Sequence, residues 1–190
     1  DITEVTTPGG LGLAVNPGQF TITFKPYTGV QPIITLPYTS DSNAGPSGAL
    51  IIGIPMENNI SWDDFRTTRN IIFDGSNTPG GTTRDLTLIN QTNSVGNAFP
   101  MVIIGDVSNV TIKNCKLYYR AQTTSTSNMF RAALQIRARL QNSINYTPSN
   151  IIIENNHLNA NFPGVSQGVL GIVTVSLAPQ PTNRVDNLII

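Results

Sequence analysis

A short apolar phrase that begins with asparagine recurs along the chain and limits the folds that the chain can adopt. Four copies occur, at intervals of 39, 41 and 37 residues. The copies are Asn70-Ile71-Ile72-Phe73, Asn109-Val110-Thr111-Ile112, Asn150-Ile151-Ile152-Ile153 and Asn187-Leu188-Ile189-Ile190. Such a period is typical of repeat architectures, in which each unit buries its apolar side chains against its neighbours.

Two further sets of apolar segments keep a fixed place within each period. The set that follows the phrase is Leu86-Thr87-Leu88, Leu117-Tyr118-Tyr119 and His157-Leu158-Asn159. The set that precedes the next copy is Ala49-Leu50-Ile51-Ile52, Met101-Val102-Ile103-Ile104, Ala133-Leu134-Gln135-Ile136 and Ile172-Val173-Thr174-Val175. Three short strands in each period predict a coil of triangular section. A longer first coil is expected from Phe20 to Phe24 and from Pro32 to Leu36.

Alternation of side chains along a strand predicts two inward columns within the repeated phrase. The first column is Ile71, Val110, Ile151 and Leu188, and the second is Phe73, Ile112, Ile153 and Ile190. Both columns are wholly apolar, so we expect like strands to stack and enclose a core.

Asparagine follows two of these strands where the chain has to turn sharply. The turns are Asn114-Cys115 and Asn155-Asn156. Asparagine tolerates the left-handed conformation, and its amide can bond to a stacked neighbour. An asparagine ladder with Asn114 over Asn155 is therefore predicted.

Composition favours strands joined by turns, with two segments that leave an alternative open. Ile and Thr occur 22 times each and Asn 21 times, a bias toward β-branched strand residues and turn residues. Residues 127 to 142 can be read as a helix, but a period of two, which favours a strand, is followed by Leu134, Ile136, Ala138 and Leu140. Residues 61 to 65 are expected to lie in a loop insertion and can also start a short helical turn with Ser61 as cap.

Charge and cysteine content exclude several kinds of partner. Eleven basic and eleven acidic residues cancel, which removes the electrostatic argument for nucleic acid or an anionic membrane. Cys115 is the one cysteine, so it is expected to be a small apolar core residue rather than part of a disulfide framework or zinc site. No apolar run approaches the roughly 18 residues that cross a bilayer, so we expect a soluble chain without membrane insertion.

The length predicts one domain over residues 1 to 190, with residues 1 to 19 as an N-terminal entry segment and residues 20 to 190 as the coils. Asp1 does not open a signal peptide, so an export signal is expected to be removed or to lie outside this sequence. The last residues, Leu188 to Ile190, have the character of a strand still in progress. We therefore expect a fragment of a longer chain, held by flanking domains or by other chains.

Three phrases together carry a resemblance to a known group of proteins. They are Ile71-Ile72-Phe73-Asp74-Gly75-Ser76-Asn77, Thr83-Arg84-Asp85-Leu86-Thr87-Leu88 and Asn109-Val110-Thr111-Ile112-Lys113-Asn114-Cys115. Over residues 20 to 160 the chain resembles right-handed β-helix repeats of the pectate-lyase-like superfamily. It is similar in particular to those in large secreted and surface proteins of Bacteroidetes-type bacteria, many of which are exported by type IX secretion. The resemblance implies an all-β, right-handed parallel β-helix of about four triangular coils, in an extracellular or cell-surface bacterial protein.

Enzymes of that fold need residues that this chain does not supply in the required pattern. A lyase holds calcium with clustered carboxylates, whereas here only Asp63 and Asp64 are adjacent, in a segment better explained as a polar loop. The hydrolase signatures are also missing, since Gln135-Ile136-Arg137 stands in place of Arg-Ile-Lys and His157 lacks flanking glycines. We therefore assign no catalytic residue, no metal ligand and no cofactor.

The candidate ligand-binding residues are surface residues predicted to point outward from neighbouring strands. They are Tyr118, Arg120, Arg131, Arg137 and Arg139. Arginine pairs with carboxylates and aromatic rings stack on sugar faces, so these side chains can form a shallow groove for acidic or neutral glycans. The alternative is an ordinary solvated face.

Two functional hypotheses remain. The first is a structural and adhesive module of a large secreted or cell-surface protein, with weak binding of polysaccharide or a protein partner. The second is a pectate-lyase-like lyase or glycoside hydrolase whose active site is incomplete in this segment, with insertions at residues 37 to 48, 55 to 69 and 120 to 131 as walls of a cleft.

Overall fold

The computed structural model describes residues 11–13, 15–36, 47–53, 67–92, 98–121, 132–141, 144–159, 170–175 and 186–190. Within these ranges the chain forms β-strands and no helix. The strands are β1 (Leu11–Leu13), β2 (Ile22–Phe24), β3 (Ile33–Leu36), β4 (Ser47–Gly53), β5 (Thr68–Asp74), β6 (Leu86–Thr92), β7 (Ala98–Ile104), β8 (Val107–Lys113), β9 (Cys115–Ala121), β10 (Ala132–Arg137), β11 (Arg139–Gln141), β12 (Ile144–Tyr146), β13 (Ser149–Glu154), β14 (His157–Asn159), β15 (Leu170–Val175) and β16 (Asp186–Ile189). The all-β prediction is confirmed for this part of the chain.

Three parallel sheets contain all of these strands except β11 and β12. We call them sheet A (β1-β4-β7-β10-β15), sheet B (β2-β5-β8-β13-β16) and sheet C (β3-β6-β9-β14). The chain visits the sheets in one cyclic order, A, then B, then C, and each visit adds a strand beside the previous one. We call one such set of three consecutive strands a rung. The first rung is β1 to β3 and begins at Leu11, within the predicted entry segment.

Stacking of like strands follows the predicted register. Ile71 pairs with Val110, Val110 with Ile151 and Ile151 with Leu188, as the first column requires. In the second column Phe73 pairs with Ile112 and Ile112 with Ile153. The side chains from Ile71 to Ile151 and from Phe73 to Ile153 are buried, in one cluster that includes members of all three sheets. The three sheets therefore enclose a common core.

The inward position predicted for Ile190 is wrong. Its side chain is 80% exposed, and it lies one residue beyond the end of β16. Alternation holds only while neighbouring strands pair, so the column stops at Ile153 in the described part of the chain.

Residues 132 to 141 form strands, as their period of two predicted. Leu134 and Ile136 of β10 face the core and pair with Met101 and Ile103 of β7. Two short strands follow, β11 and β12, which pair with each other in antiparallel fashion between β10 and β13. The predicted loop or helical turn at residues 61 to 65 lies outside the described residues.

The outer face of sheet A is buried, which the sequence did not predict. Ile51, Val102 and Ile104 alternate with core residues and belong to a second buried cluster. Gln135 and Arg137 lie on the same outer face of β10 and are 3% and 9% exposed. The expected solvated outward position of Arg137 is therefore wrong, because a strand that is covered on both faces buries both sets of side chains.

Asparagine occupies the left-handed region at both described corners beside sheet B. At the A–B corner the column is Asn70, Asn109 and Asn150, with φ angles of 57°, 54° and 52°. Asn109 Nδ2 donates to Asn70 Oδ1 (3.0 Å), and Asn150 Nδ2 donates to Asn109 Oδ1 (3.1 Å). This exposed ladder was not predicted, although its residues open the repeated phrase.

The B–C corner contains the asparagine ladder that was predicted. Asn114 and Asn155 have φ angles of 57° and 48°, and Asn155 Nδ2 donates to Asn114 Oδ1 (2.7 Å). Below them the ladder ends on an acid, because Asn114 Nδ2 donates to Asp74 Oδ1 (2.7 Å). Gly75 follows Asp74, and an added Cβ there would overlap the Asn114 carbonyl oxygen, so only glycine fits. The stacked turns are thus in direct contact.

Candidate functional site

The loop from Gly75 to Asp85 joins β5 to β6 and covers the side of the B–C corner. Asp74 Oδ1 accepts from Ser76 N (3.1 Å), and the Ser76 hydroxyl lies 3.1 Å from the Thr83 hydroxyl. Arg84 Nε donates to the Asn155 carbonyl oxygen (2.7 Å), two rungs away. These bonds fix the loop at both ends against the stacked corner.

Asp85 closes the loop as a hydrogen-bonded carboxylate. Asn77 N donates to its Oδ2 (3.0 Å), as does the Thr83 hydroxyl (2.6 Å), and Gln31 Nε2 donates to its Oδ1 (3.1 Å). The Asn77 amide lowers the pKa of Asp85 most, followed by Thr83, while partial burial opposes them and Gln31 and the Lys116 charge assist. Asp85, as a charged carboxylate, therefore holds the loop in place.

A polar cleft of about 810 Å³ lies between this loop and the B–C corners of the third and fourth rungs. Its lining residues come from three places in the chain. They are the loop residues Gly80, Gly81, Thr82, Thr83, Arg84 and Asp85, the third-rung residues Lys113, Asn114 and Lys116, and the fourth-rung residues Glu154, Asn155 and His157. The parallel register places Lys113 beside Glu154 and Lys116 beside His157. Each rung therefore contributes one side chain from either side of its corner.

Positive and negative groups are evenly matched in and behind the cleft. Arg84, Lys113 and Lys116 are its described cations, while Asp85 and Glu154 are its described anions. The third carboxylate, Asp74, lies behind the lining and 3.8 Å from Lys113 Nζ. With three charges of each sign, the cleft offers close donors and acceptors without a large net field.

Tyr118 and His157 form a pair of rings beside the cleft. The Tyr118 hydroxyl lies 3.2 Å from His157 Nδ1, and the rings meet edge to face with centroids 5.4 Å apart. His157 is exposed at the start of β14. Its ring orientation is set by Tyr118, which gives the cleft a fixed aromatic edge.

Four of the five predicted ligand-binding residues lie in the described part of the chain, and the structure does not gather these four onto one sheet. Tyr118 and Arg120 lie on β9 of sheet C, Arg137 on β10 of sheet A and Arg139 on β11. Arg131 lies outside the described residues, and nothing is described of the side chains of Arg120 and Arg139. Among those whose side chains are described, Tyr118 is the one placed beside the cleft, and whether any of the five binds a ligand stays a prediction.

Arg84, Lys116 and Glu154 line the cleft and were not among the predicted binding residues. Arg84 lies in the loop after Gly80 and Gly81, and only the fold places this loop beside the fourth rung. A signal for Lys116 and Glu154 was present, because both lie next to the predicted Asn114 and Asn155 ladder. Charged residues that flank a predicted corner on successive rungs must lie close together.

Cys115 is a buried core residue, as predicted. It is 0% exposed, and burial raises the pKa of its thiol to about 12. A thiol held in this neutral form is a poor nucleophile. Cys115 therefore contributes packing rather than chemistry.

Among the described residues no group of three or more His, Cys, Asp or Glu side chains is close enough to hold a metal ion. The same part of the chain contains no helix of the length and hydropathy needed to span a membrane.

An apolar cavity of about 500 Å³ lies between the first two rungs. Its walls include Leu13, Phe24, Ile34, Leu50 and Phe73. Phe24 stacks on Phe73 with ring centroids 4.9 Å apart, so this cavity belongs to the packing of the first rung on the second.

Comparison with known proteins gives no relative from which a function can be read. No protein-family model matches the chain, and neither a curated protein nor a solved structure matches it. The functional argument therefore depends on the geometry of the fold and the cleft.

Proposed function

We propose that the strands are the coils of a right-handed parallel β-helix and that the chain is a structural and adhesive module of a larger exported or cell-surface bacterial protein. The observation that carries the proposal is the unbroken cycle of the chain through sheets A, B and C. A helical path of this kind advances by one strand spacing, about 4.8 Å, with each turn. Right-handed crossover is the strong preference for parallel strands.

The packing supports a stiff spacer. Apolar columns run through successive rungs, and polar ladders run along two corners. Each rung is thereby bonded to the next by backbone, core and corner contacts together. A stack of this kind resists bending, and its B–C corner remains available for binding.

The lateral polar cleft supports the adhesive part of the proposal. It is formed by side chains from the second, third and fourth rungs, so its shape depends on the stack itself. Extracellular or surface location, export by the type IX route and contact with flanking domains or other chains belong to the same proposal. They derive from the resemblance in the repeat phrases.

Reading the gene on both sides of this segment tests the proposed role. Further repeats of the same period, or a sorting domain for export, would support a spacer in a surface protein. A catalytic domain that completes a carboxylate cluster around the cleft would replace it with the enzymatic alternative. A crystal structure that shows left-handed coils, or sheets that do not close around the core, would reject the β-helix.

An activity assay separates the module from the enzyme directly. We expect the purified chain to release neither unsaturated nor reducing sugars from pectin-like polysaccharides, with or without added calcium. Release that is abolished by Asp63→Asn or Asp64→Asn would establish the pectate-lyase-like alternative.

A further inference from the structure

The charge pattern of the polar cleft identifies the chemistry of its ligand. Arg84 uses two of its guanidinium N–H groups on Asn155, and the remaining donors of its five are left for a ligand. The Glu154 carboxylate is exposed and makes no hydrogen bond or ion pair to the described part of the chain. Strong donors and a strong acceptor therefore line the same cleft.

A hydroxyl group suits such a cleft better than an ionised group does. Each hydroxyl both donates and accepts, so neighbouring hydroxyls can bond to Arg84 and Glu154 at the same time. A carboxylate or sulfate would gain from Arg84 and Lys116 but would be repelled by Glu154. Because the cations and carboxylates around the cleft are equal in number, no net attraction is left for an acidic ligand.

The aromatic edge of the cleft adds a requirement for an apolar surface beside those hydroxyls. His157 lines the cleft, and its ring is held edge to face by Tyr118. The C–H face of a sugar ring packs on aromatic side chains, while its hydroxyls point outward to polar partners. The volume of about 810 Å³ is within the range of pockets that bind small molecules, roughly 300 to 1,000 Å³.

We propose that this corner cleft binds an uncharged glycan, with hydroxyl groups between Arg84 and Glu154 and a sugar face against His157. The proposal deepens the adhesive function above and rests on it. The loop and Arg84 are organised before binding, since Asp85, Ser76 and Thr83 fix the loop and Asn155 fixes Arg84. Little ordering of these groups is then left for the ligand to bring about.

Calorimetric titration with sugars of matched length tests this assignment. The probes are cellohexaose, mannohexaose and xylohexaose as neutral ligands, and hexagalacturonate as the acidic one. We expect at least one neutral hexasaccharide to bind more tightly than hexagalacturonate, with an affinity that changes little between low and high salt. Tighter binding of hexagalacturonate, or no binding of any neutral probe at its highest soluble concentration, would overturn the proposal.

Glu154→Gln isolates the cleft within the same titration. Loss of a charged acceptor should weaken the neutral ligand about tenfold, while the melting temperature stays unchanged because the side chain is exposed. Lys25→Gln is the matched control, an exposed charge on the first rung and outside this cleft. Equal affinity in wild type and Glu154→Gln, or equal weakening by Lys25→Gln, would reject the site. The gene sequence and the crystal structure decide the structural role separately, so failure of sugar binding would leave the β-helix module in place.

Discussion

The two asparagine corners use the same backbone conformation for different purposes. At the A–B corner Asn70, Asn109 and Asn150 bond to one another along a surface that is exposed at Asn109 and Asn150. At the B–C corner the middle residue, Asn114, is 4% exposed and donates to the buried carboxylate of Asp74. The first corner mainly needs a residue that tolerates positive φ, whereas the second also needs the amide itself.

Strand β8 and the residue that follows it, Asn114, run from one corner to the other, so Asn109, Ile112 and Asn114 compare corner and core within one rung. Ile112→Ala sets the scale, since Ile112 is 0% exposed between two core neighbours. Truncation of a buried isoleucine should cost about 2 to 5 kcal/mol of unfolding free energy. Chemical denaturation would measure it, and a nearly neutral effect would show that the second column is not a packed core.

Substitution of Asn114 is expected to have the next largest effect on stability, whichever small residue replaces it. Asn114→Ala removes the side-chain amide that donates to Asp74 Oδ1, which keeps the Ser76 N–H, and strains the positive φ, for an expected loss of about 2 to 3 kcal/mol. Asn114→Gly relieves the backbone but not the carboxylate, so denaturant midpoints should fall for both variants. A glycine variant as stable as wild type would show that the amide has no role of its own.

Asn109 gives the contrasting result if the comparison between corners is right. Asn109→Ala places a Cβ-bearing residue at φ 54° without a ladder amide, at a cost of about 1 to 2 kcal/mol. Asn109→Gly should cost clearly less, because glycine adopts positive φ freely and the lost amide bonds are exposed. Matched thermal melts of the two variants would reveal this gap, and equal losses would make the corners alike.

Substitution of Asp85 is expected to have the smallest effect on stability, and the dependence of that effect on pH identifies its cause. Its folded pKa lies below that of the unfolded chain, so its contribution to stability is present above about pH 4 and is lost as pH falls through the folded pKa. Asp85→Asn should therefore melt below wild type at pH 7 and approach it at lower pH. Melting curves that stay parallel from pH 7 to pH 3 would contradict a structural role for the charged form.

The repeat period and the alternation of side chains predicted much of the strand stacking. Val110 and Ile151 pair as their shared place in the phrase required, and Asn155 bonds to Asn114 because successive corners lie directly over each other. These features depend on contacts between rungs, and the spacing of the repeat determines such contacts. For these features, the position of a residue within the repeat nearly determines which residue it contacts in the fold.

Features that depend on what covers a rung could not be read from the same pattern. Arg137 has the alternation of an outward residue, yet it is 9% exposed because the outer face of sheet A is buried. Ile190 has the place of an inward residue and is exposed because β16 ends before it. The cleft could not be predicted from the pattern either. Arg84 bonds to Asn155, which lies 71 residues later in the chain, and no repeat relates the two positions.

The connection from sheet A to sheet B shows how such a protein can change without refolding. Between β7 and β8 it consists of Gly105 and Asp106 alone, whereas between β10 and β13 it contains the hairpin of β11 and β12. Although the connections that precede them differ in this way, β8 and β13 pair without a shift in register. An insertion in this connection, whether it arises in evolution or by grafting a peptide, can therefore be accommodated while the neighbouring rungs keep their strand pairing.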